Sequence, residues 1–230
     1  LSEDGPYTRL KTSTRSSYSL SRLPANKLVF FRGAAYTLYG KQEVTGAMSD
    51  PKGVAMLKAS SFTSLSQQSV ESAFITWKSV SGASGYSLER STSQYGTYTG
   101  LGLFNGTSCS DSGLIPGQKY YYKVTALIAY NGGTYLGTAS TAKSLQLLSK
   151  PSSLSAVALS TTKVSIRWSK VSGAKGYVLY MASSSSGKYT AVKTASGTST
   201  TISGLAPGRV YYFKVAAYVL LNKAVVPGDV

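Results

Sequence analysis

Apolar and polar residues alternate along most of this chain, at the period of two that sends successive side chains to opposite faces of a strand. The middle third shows the pattern best. Ala73, Ile75 and Trp77 alternate with Phe74 and Thr76, and Tyr86, Leu88 and Arg90 share one strand face against Ser87 and Glu89. A short strand follows Gly96, from Tyr98 to Leu103, and another runs from Thr107 to near Leu114. Ile115-Pro116-Gly117 predicts a corner, with proline presetting φ and glycine supplying φ > 0. Lys119 to Tyr130 reads as one long strand with Tyr120, Tyr122, Val124 and Ala126 on its inner face. Asn131-Gly132-Gly133 is a hairpin turn, and Thr134 to Leu148 returns. Some seven strands in about 90 residues, without helical periodicity, predict a β-sandwich.

The pattern then repeats. Trp77 recurs as Trp168, an offset of 91 residues (168 − 77 = 91). Gly5-Pro-Tyr-Thr8, Gly96-Thr-Tyr-Thr99 and Gly187-Lys-Tyr-Thr190 keep that offset, as do Phe30-Phe31-Arg32, Tyr121-Tyr122-Lys123 and Tyr212-Phe213-Lys214. The period is too long for a solenoid unit and suits a small domain, so the chain reads as about two and a half modules in a row. Cut before each Trp strand, the units are 1–58, 59–149 and 150–230. The first begins at the phase of Thr92 and holds only the C-terminal part of a module; the third stops at the phase of Ala139, before its last strand. The expected setting is a longer polypeptide.

Composition narrows the chemistry. There is no histidine, one cysteine (Cys109) and eight carboxylates, so the usual general base and the commonest transition-metal ligand are missing. A single thiol closes no intrachain disulfide and builds no zinc site. The expectation is a protein that is not an enzyme and uses no cofactor or metal. No apolar stretch approaches the roughly 20 residues of a membrane-spanning helix, so no membrane insertion is expected. Net charge is +16, spread as nine Lys/Arg against four acids in 1–58, five against three in 59–149, and ten against one in 150–230. Such a charge attracts polyanions within about 8–10 Å in physiological salt.

The segments WKSVSGASGYSLERSTSQYGTYT and SDSGLIPGQKYYYKVTAL in the second unit, and WSKVSGAKGYVLYMASSSSGKYT and SGLAPGRVYYFKVAAY in the third, resemble the fibronectin type III family. They look like the bacterial form found in Gram-positive surface and secreted proteins. The resemblance implies an all-β chain of tandem immunoglobulin-like sandwiches. It also implies a core built on Trp77, Trp168, Tyr86, Tyr177, Tyr120, Tyr211, Leu114 and Leu205. The spacing Leu114, Pro116, Gly117, Tyr120 and its copy Leu205, Pro207, Gly208, Tyr211 resembles the family's tyrosine corner. The first unit departs from the pattern. Val29 stands at the corner tyrosine, Gly33 replaces Val124 and Val215, and the Trp strand and its neighbours are missing. Leu28-Val29-Phe30-Phe31 is expected to form a sticky edge; the remainder of the module is expected upstream, the alternative being strand addition by a neighbouring chain.

Function on this reading is mechanical. The junctions Met56 to Ser60 and Leu148 to Ser152 are too short and too apolar to act as loose linkers. The chain is expected to serve as a spacer between other domains of a bacterial surface or secreted protein. The competing reading is adhesion to polysaccharide or anionic cell-wall polymer. Its candidate face is Tyr180, Tyr212 and Lys214, with Lys163 and Arg167 outward on the Trp strand. Basic side chains scattered over both sheets and the absence of a recognised motif argue against specific nucleic-acid binding. Glu89 and Lys123 are expected to form an exposed ion pair, and Asp111 to be a turn or capping residue. Cys109 is expected to be a buried or half-buried small side chain, not a nucleophile. Asn105-Gly106-Thr107 matches a glycosylation acceptor but reads first as a turn.

Overall fold

The computed structural model describes residues 2–221 and 224–228, and all regular structure among them is β. The first unit contains β1 (Leu28–Phe31), β2 (Ala34–Tyr39), β3 (Gln42–Met48) and β4 (Lys52–Ala55). β1 pairs with β4 and β2 with β3, both antiparallel. Residues 2–27 carry no strand.

The second unit is a complete two-sheet sandwich. Its strands are β5 (Phe62–Ser69), β6 (Ser72–Trp77), β7 (Gly85–Ser91), β8 (Thr99–Phe104), β9 (Ser108–Asp111), β10 (Lys119–Tyr130), β11 (Gly133–Ala139) and β12 (Lys143–Gln146). One sheet has the order β5-β6-β9; the other runs β11-β10-β7-β8, with β12 also on β10. The single returning strand expected over Thr134 to Leu148 is therefore two. They part near Ser140, whose hydroxyl accepts the Val124 N–H (3.0 Å) and whose own N–H reaches the Val124 carbonyl (2.9 Å). The inner faces supply Ala73, Ile75 and Trp77 from one sheet and Leu88, Tyr122, Val124 and Ala126 from the other, all buried. Trp77 meets Tyr86 and Phe104 edge-on, at centroid separations of 5.7 and 6.0 Å.

The third unit repeats the plan with β13 (Ser155–Ser160), β14 (Lys163–Arg167), β15 (Gly176–Ala182), β16 (Thr190–Ala195), β17 (Ser199–Ser203), β18 (Tyr212–Leu221) and β19 (Ala224–Pro227). Its sheets are β13-β14-β17 and β16-β15-β18-β19. β19 stands where β11 stands in the second unit, and the phase of β12 falls after Val230. Tyr120 and Leu114 are 5% and 2% exposed beneath β12, which pairs Leu145 with Tyr120. Tyr211 and Leu205 have no such cover among the described residues and are half-buried. Both corner tyrosines still accept a backbone N–H: Ile115 to Tyr120 at 2.9 Å, Ala206 to Tyr211 at 3.0 Å. Tyr86 and Tyr177 likewise accept the N–H of Val80 and Val171.

The 91-residue offset holds in the strand register as well. Leu28 faces Ala55 as Lys119 faces Gln146, and Ala34 faces Met48 as Thr125 faces Ala139. The long strand divides in the first unit at the phase where β10 passes from β12 to β11; β7 pairs across that place in the second unit, and no strand does so among the described residues of the first. The expected sticky edge is not exposed. Leu28, Val29 and Phe30 are buried, and Leu28, Phe30, Ala55 and Leu57 belong to the same core cluster as Trp77 and Tyr86. Phe30 packs on Tyr130 and Tyr135 of the second unit, with centroids 5.6 and 5.7 Å away. The apolar side chains of β1 and β4 are thus covered by the second unit of the same chain.

Candidate functional site

The candidate ligand face divides between two sheets. β15 and β18 are paired so that Tyr180 faces Lys214 and Ala182 faces Tyr212, which puts Tyr180, Tyr212 and Lys214 together on one outward face. Tyr212 is 37% exposed, Lys214 is exposed and Tyr180 is half-buried. Lys163 and Arg167 are exposed on β14, opposite Ser203 and Ser199 of β17. β14 belongs to the other sheet, and the outward faces of a sandwich point apart. The five residues therefore form two separate surfaces.

The lysine on the tyrosine strand has a partner that reading the residues strand by strand missed. Lys214 Nζ lies 4.7 Å from the ring centroid of Tyr189. The same contact occurs twice more at the repeat offset: Lys123 over Tyr98 at 4.0 Å and Arg32 over Tyr7 at 4.9 Å. Each of these tyrosines donates its hydroxyl proton to the carbonyl four residues back, at Glu3 (2.7 Å), Gln94 (3.0 Å) and Ser185 (3.3 Å). The cation sits over the negative face of a ring whose edge is already anchored. The recurrence of both Gly-x-Tyr-Thr and the Lys/Arg position at one offset was the signal that could have found this pair. The contact also corrects the expected Glu89–Lys123 ion pair. Those residues face each other across β7 and β10, but the ion pairs among the described residues are Arg9–Glu43 and Arg90–Asp111.

Asp111 is not a turn cap. It is buried at the end of β9, where Oδ1 accepts from the Arg90 guanidinium (2.7 Å) and Oδ2 from the Tyr122 hydroxyl (2.8 Å). Burial, and then the hydrogen bond to Asp111, push the Tyr122 phenol well above the usual tyrosine range. The third unit places Met181, Ile202 and Phe213 at these three phases, so one position in the fold has an ionic and an apolar version. Cys109 is half-buried on β9, with its thiol pushed up to about 11 by burial and then by the Asp111 charge. Among the described residues no group of three or more His, Cys, Asp or Glu could hold a metal ion, and no helix is long and apolar enough to cross a membrane.

The junctions between units are also repeated. Leu57 is buried in the core of the second unit and Leu148 in that of the third, 91 residues apart. A β-carbon added to Gly137 would run into the Leu57 side chain and carbonyl, and one added to Gly228 would press on Leu148. At the second junction the Leu148 N–H donates to the buried Gln67 side-chain oxygen on β5 at 2.9 Å.

No curated protein matches the chain. Among solved structures, the FN1–FN3 domains of chicken CNTN1 align over 80% of this chain and 70% of that one, at 19% identity and a TM-score of 0.35. A two-domain segment of chicken tenascin aligns over 74% and 93%, at 17% identity and 0.34. A domain from the human KIAA0970 protein covers 38% of this chain and 72% of its own length, at 24% identity and 0.33. These values carry no partner or activity across. Residues 149–219, most of the third unit, match the family model of the fibronectin type III domain, and the second and third units share one all-β, two-sheet plan.

Proposed function

We propose that this chain is a non-catalytic spacer that holds other domains of a bacterial surface or secreted protein at a set distance and orientation. The observation that carries this reading is the repeated junction. Leu57 and Leu148 each enter the core of the following unit, packed closely against a glycine. A linker that must bury an apolar side chain in the next domain cannot swing freely without exposing it, at about 1.5–3 kcal/mol for a leucine. Small-angle scattering and 15N relaxation test this. The spacer reading requires an extended particle of one preferred shape and common tumbling of the second and third units. Independent tumbling of the two would remove it.

A second reading, adhesion to polysaccharide or anionic wall polymer, is favoured by one difference between the units. Tyr180 takes the place of Glu89, so Lys214 faces a ring where Lys123 faces a carboxylate. Substituting Tyr212 and Lys214 together by alanine separates the readings. A spacer keeps its shape and loses nothing, whereas an adhesive face loses retention on immobilised polymer.

A further inference from the structure

We infer that the cleft between the first and second units is a binding site for a phosphate-type oxyanion, either free or carried on a polymer. The inference rests on the fixed junction of the spacer reading, because the walls of the cleft come from both units. The cleft is open to solvent, has a volume of about 270 Å³, and its lining includes Asn26, Lys58, Ser61, Lys78, Ser79 and Ser81. These side chains offer two ammonium groups, three hydroxyls and an amide, with no carboxylate in the lining. Neither lysine belongs to an ion pair among the described residues. Such a donor set matches a tetrahedral oxyanion, whose several oxygens accept charge-assisted hydrogen bonds in different directions.

The walls are held by backbone contacts that do not involve the lysine side chains. Lys78 N–H donates to the Ser61 carbonyl at 2.9 Å, and the buried Ser60 hydroxyl donates to the Lys78 carbonyl at 2.7 Å. On the first-unit side the Asn26 N–H donates to the Met56 carbonyl at 2.8 Å. Gly82 closes onto the Asn26 carbonyl at a positive φ of 80°, an approach that no β-carbon would permit. The frame therefore exists before any anion arrives.

The repeat supplies an internal control. At the second junction the Ser169 N–H donates to the Ser152 carbonyl at 2.8 Å, which is the Lys78–Ser61 contact moved by 91 residues. There the phases of Lys58 and Lys78 are held by Ser149 and Ser169, while the phases of Ala59 and Ser79 hold Lys150 and Lys170. Serine thus fits both lysine places in the same frame, and Lys150 and Lys170 give the test a comparison pair of exposed lysines at the second junction.

The test titrates the whole chain with inorganic phosphate, and separately with tripolyphosphate, at constant ionic strength made up with chloride. Amide chemical shifts are followed beside those of the variant Lys58→Ser/Lys78→Ser. The expected result is saturable shifts confined to Lys78–Ser81 and Asn26, with a dissociation constant on the order of a millimolar. In the variant the affinity falls about tenfold or more, with melting unchanged. Saturation by phosphate itself shows that a free ion suffices. Localised shifts with tripolyphosphate only, lost in the variant, assign the site to chained phosphates. Shifts spread over the basic surface, or kept in the variant, overturn the inference. Relaxation data on the same sample show whether the units tumble together, so a failed spacer reading is distinguishable from a failed site.

Discussion

The triad Arg90–Asp111–Tyr122 gives the sharpest test of how this fold is stabilised. Substituting Asp111→Ile leaves the Tyr122 hydroxyl buried without an acceptor and the Arg90 charge without its partner. An unsatisfied buried hydroxyl costs about 1–3 kcal/mol, and breaking a buried ion pair from one side costs about 3–5 kcal/mol. The Arg90 side chain keeps 28% of its surface exposed, so water takes up part of its charge and the lower figure applies. We expect a loss of about 3 kcal/mol, a large share of the roughly 5–10 kcal/mol of a domain this size. The melting point of the second unit should fall by roughly 12–24 °C. The triple variant Arg90→Met/Asp111→Ile/Tyr122→Phe installs the residues that the third unit uses at the same phases. It should recover nearly all of that loss, since well-packed apolar replacements of buried ion networks are often neutral or stabilising by about 1–4 kcal/mol. The second and third units each hold one tryptophan, and the first holds none. Fluorescence in a Trp168→Phe background therefore reports the second unit, and calorimetry reports both. A single variant as stable as wild type, or a triple variant as damaged as the single one, would refute the reasoning.

Three further outcomes are expected. The raised Tyr122 phenol makes the second unit lose stability as pH rises past about 10, where an unfolded tyrosine ionises and the folded one does not. The slope is up to about 1.4 kcal/mol per pH unit, and denaturant melts of Tyr122→Phe should lack that component. The Cys109 thiol, pushed up to about 11 from an ordinary 9.0, should react with iodoacetamide near pH 8 about a hundredfold more slowly than in the urea-unfolded chain; rates within a few-fold of each other would contradict its burial. Gly137→Val should force Leu57 out of place, costing about 1–3 kcal/mol and broadening the interparticle distances seen by scattering. An unchanged profile would show that the junction does not depend on that contact.

Much of the fold was legible because the signals are local. Period-two alternation marked the strands around Trp77 and Trp168, and the Pro-Gly corner with its tyrosine marked the turn after β9 and β17. Contacts between units were not legible, since alternation says which face is apolar and not what covers it. Leu28 and Phe30 therefore looked exposed, although the second unit buries them. Lys163 and Arg167 were grouped with the tyrosine face although they lie on the Trp strand, and β14 and β18 belong to sheets whose outward faces point apart. Asp111 looked like a surface turn residue because the partners that bury its charge lie 21 residues back and 11 residues on. Lys123 was assigned to Glu89 from cross-strand register, which cannot see a ring brought up by another strand.

The buried leucines at the two junctions give the array a polarity. Leu57 lies in the first unit and completes the core of the second; Leu148 lies in the second and completes that of the third. The second unit therefore draws a core residue from the unit before it and lends one to the unit after. In the nearest-neighbour description of repeat proteins, the coupling at the second junction is directional in what it exposes. Opening the second unit withdraws Leu148 from the third, whereas opening the third leaves the second its core and uncovers only Leu148; at the first junction Leu28, Phe30 and Ala55 share the second unit's core, so exposure there runs both ways. Unfolding that begins at the second unit should then reach the third more readily than the reverse.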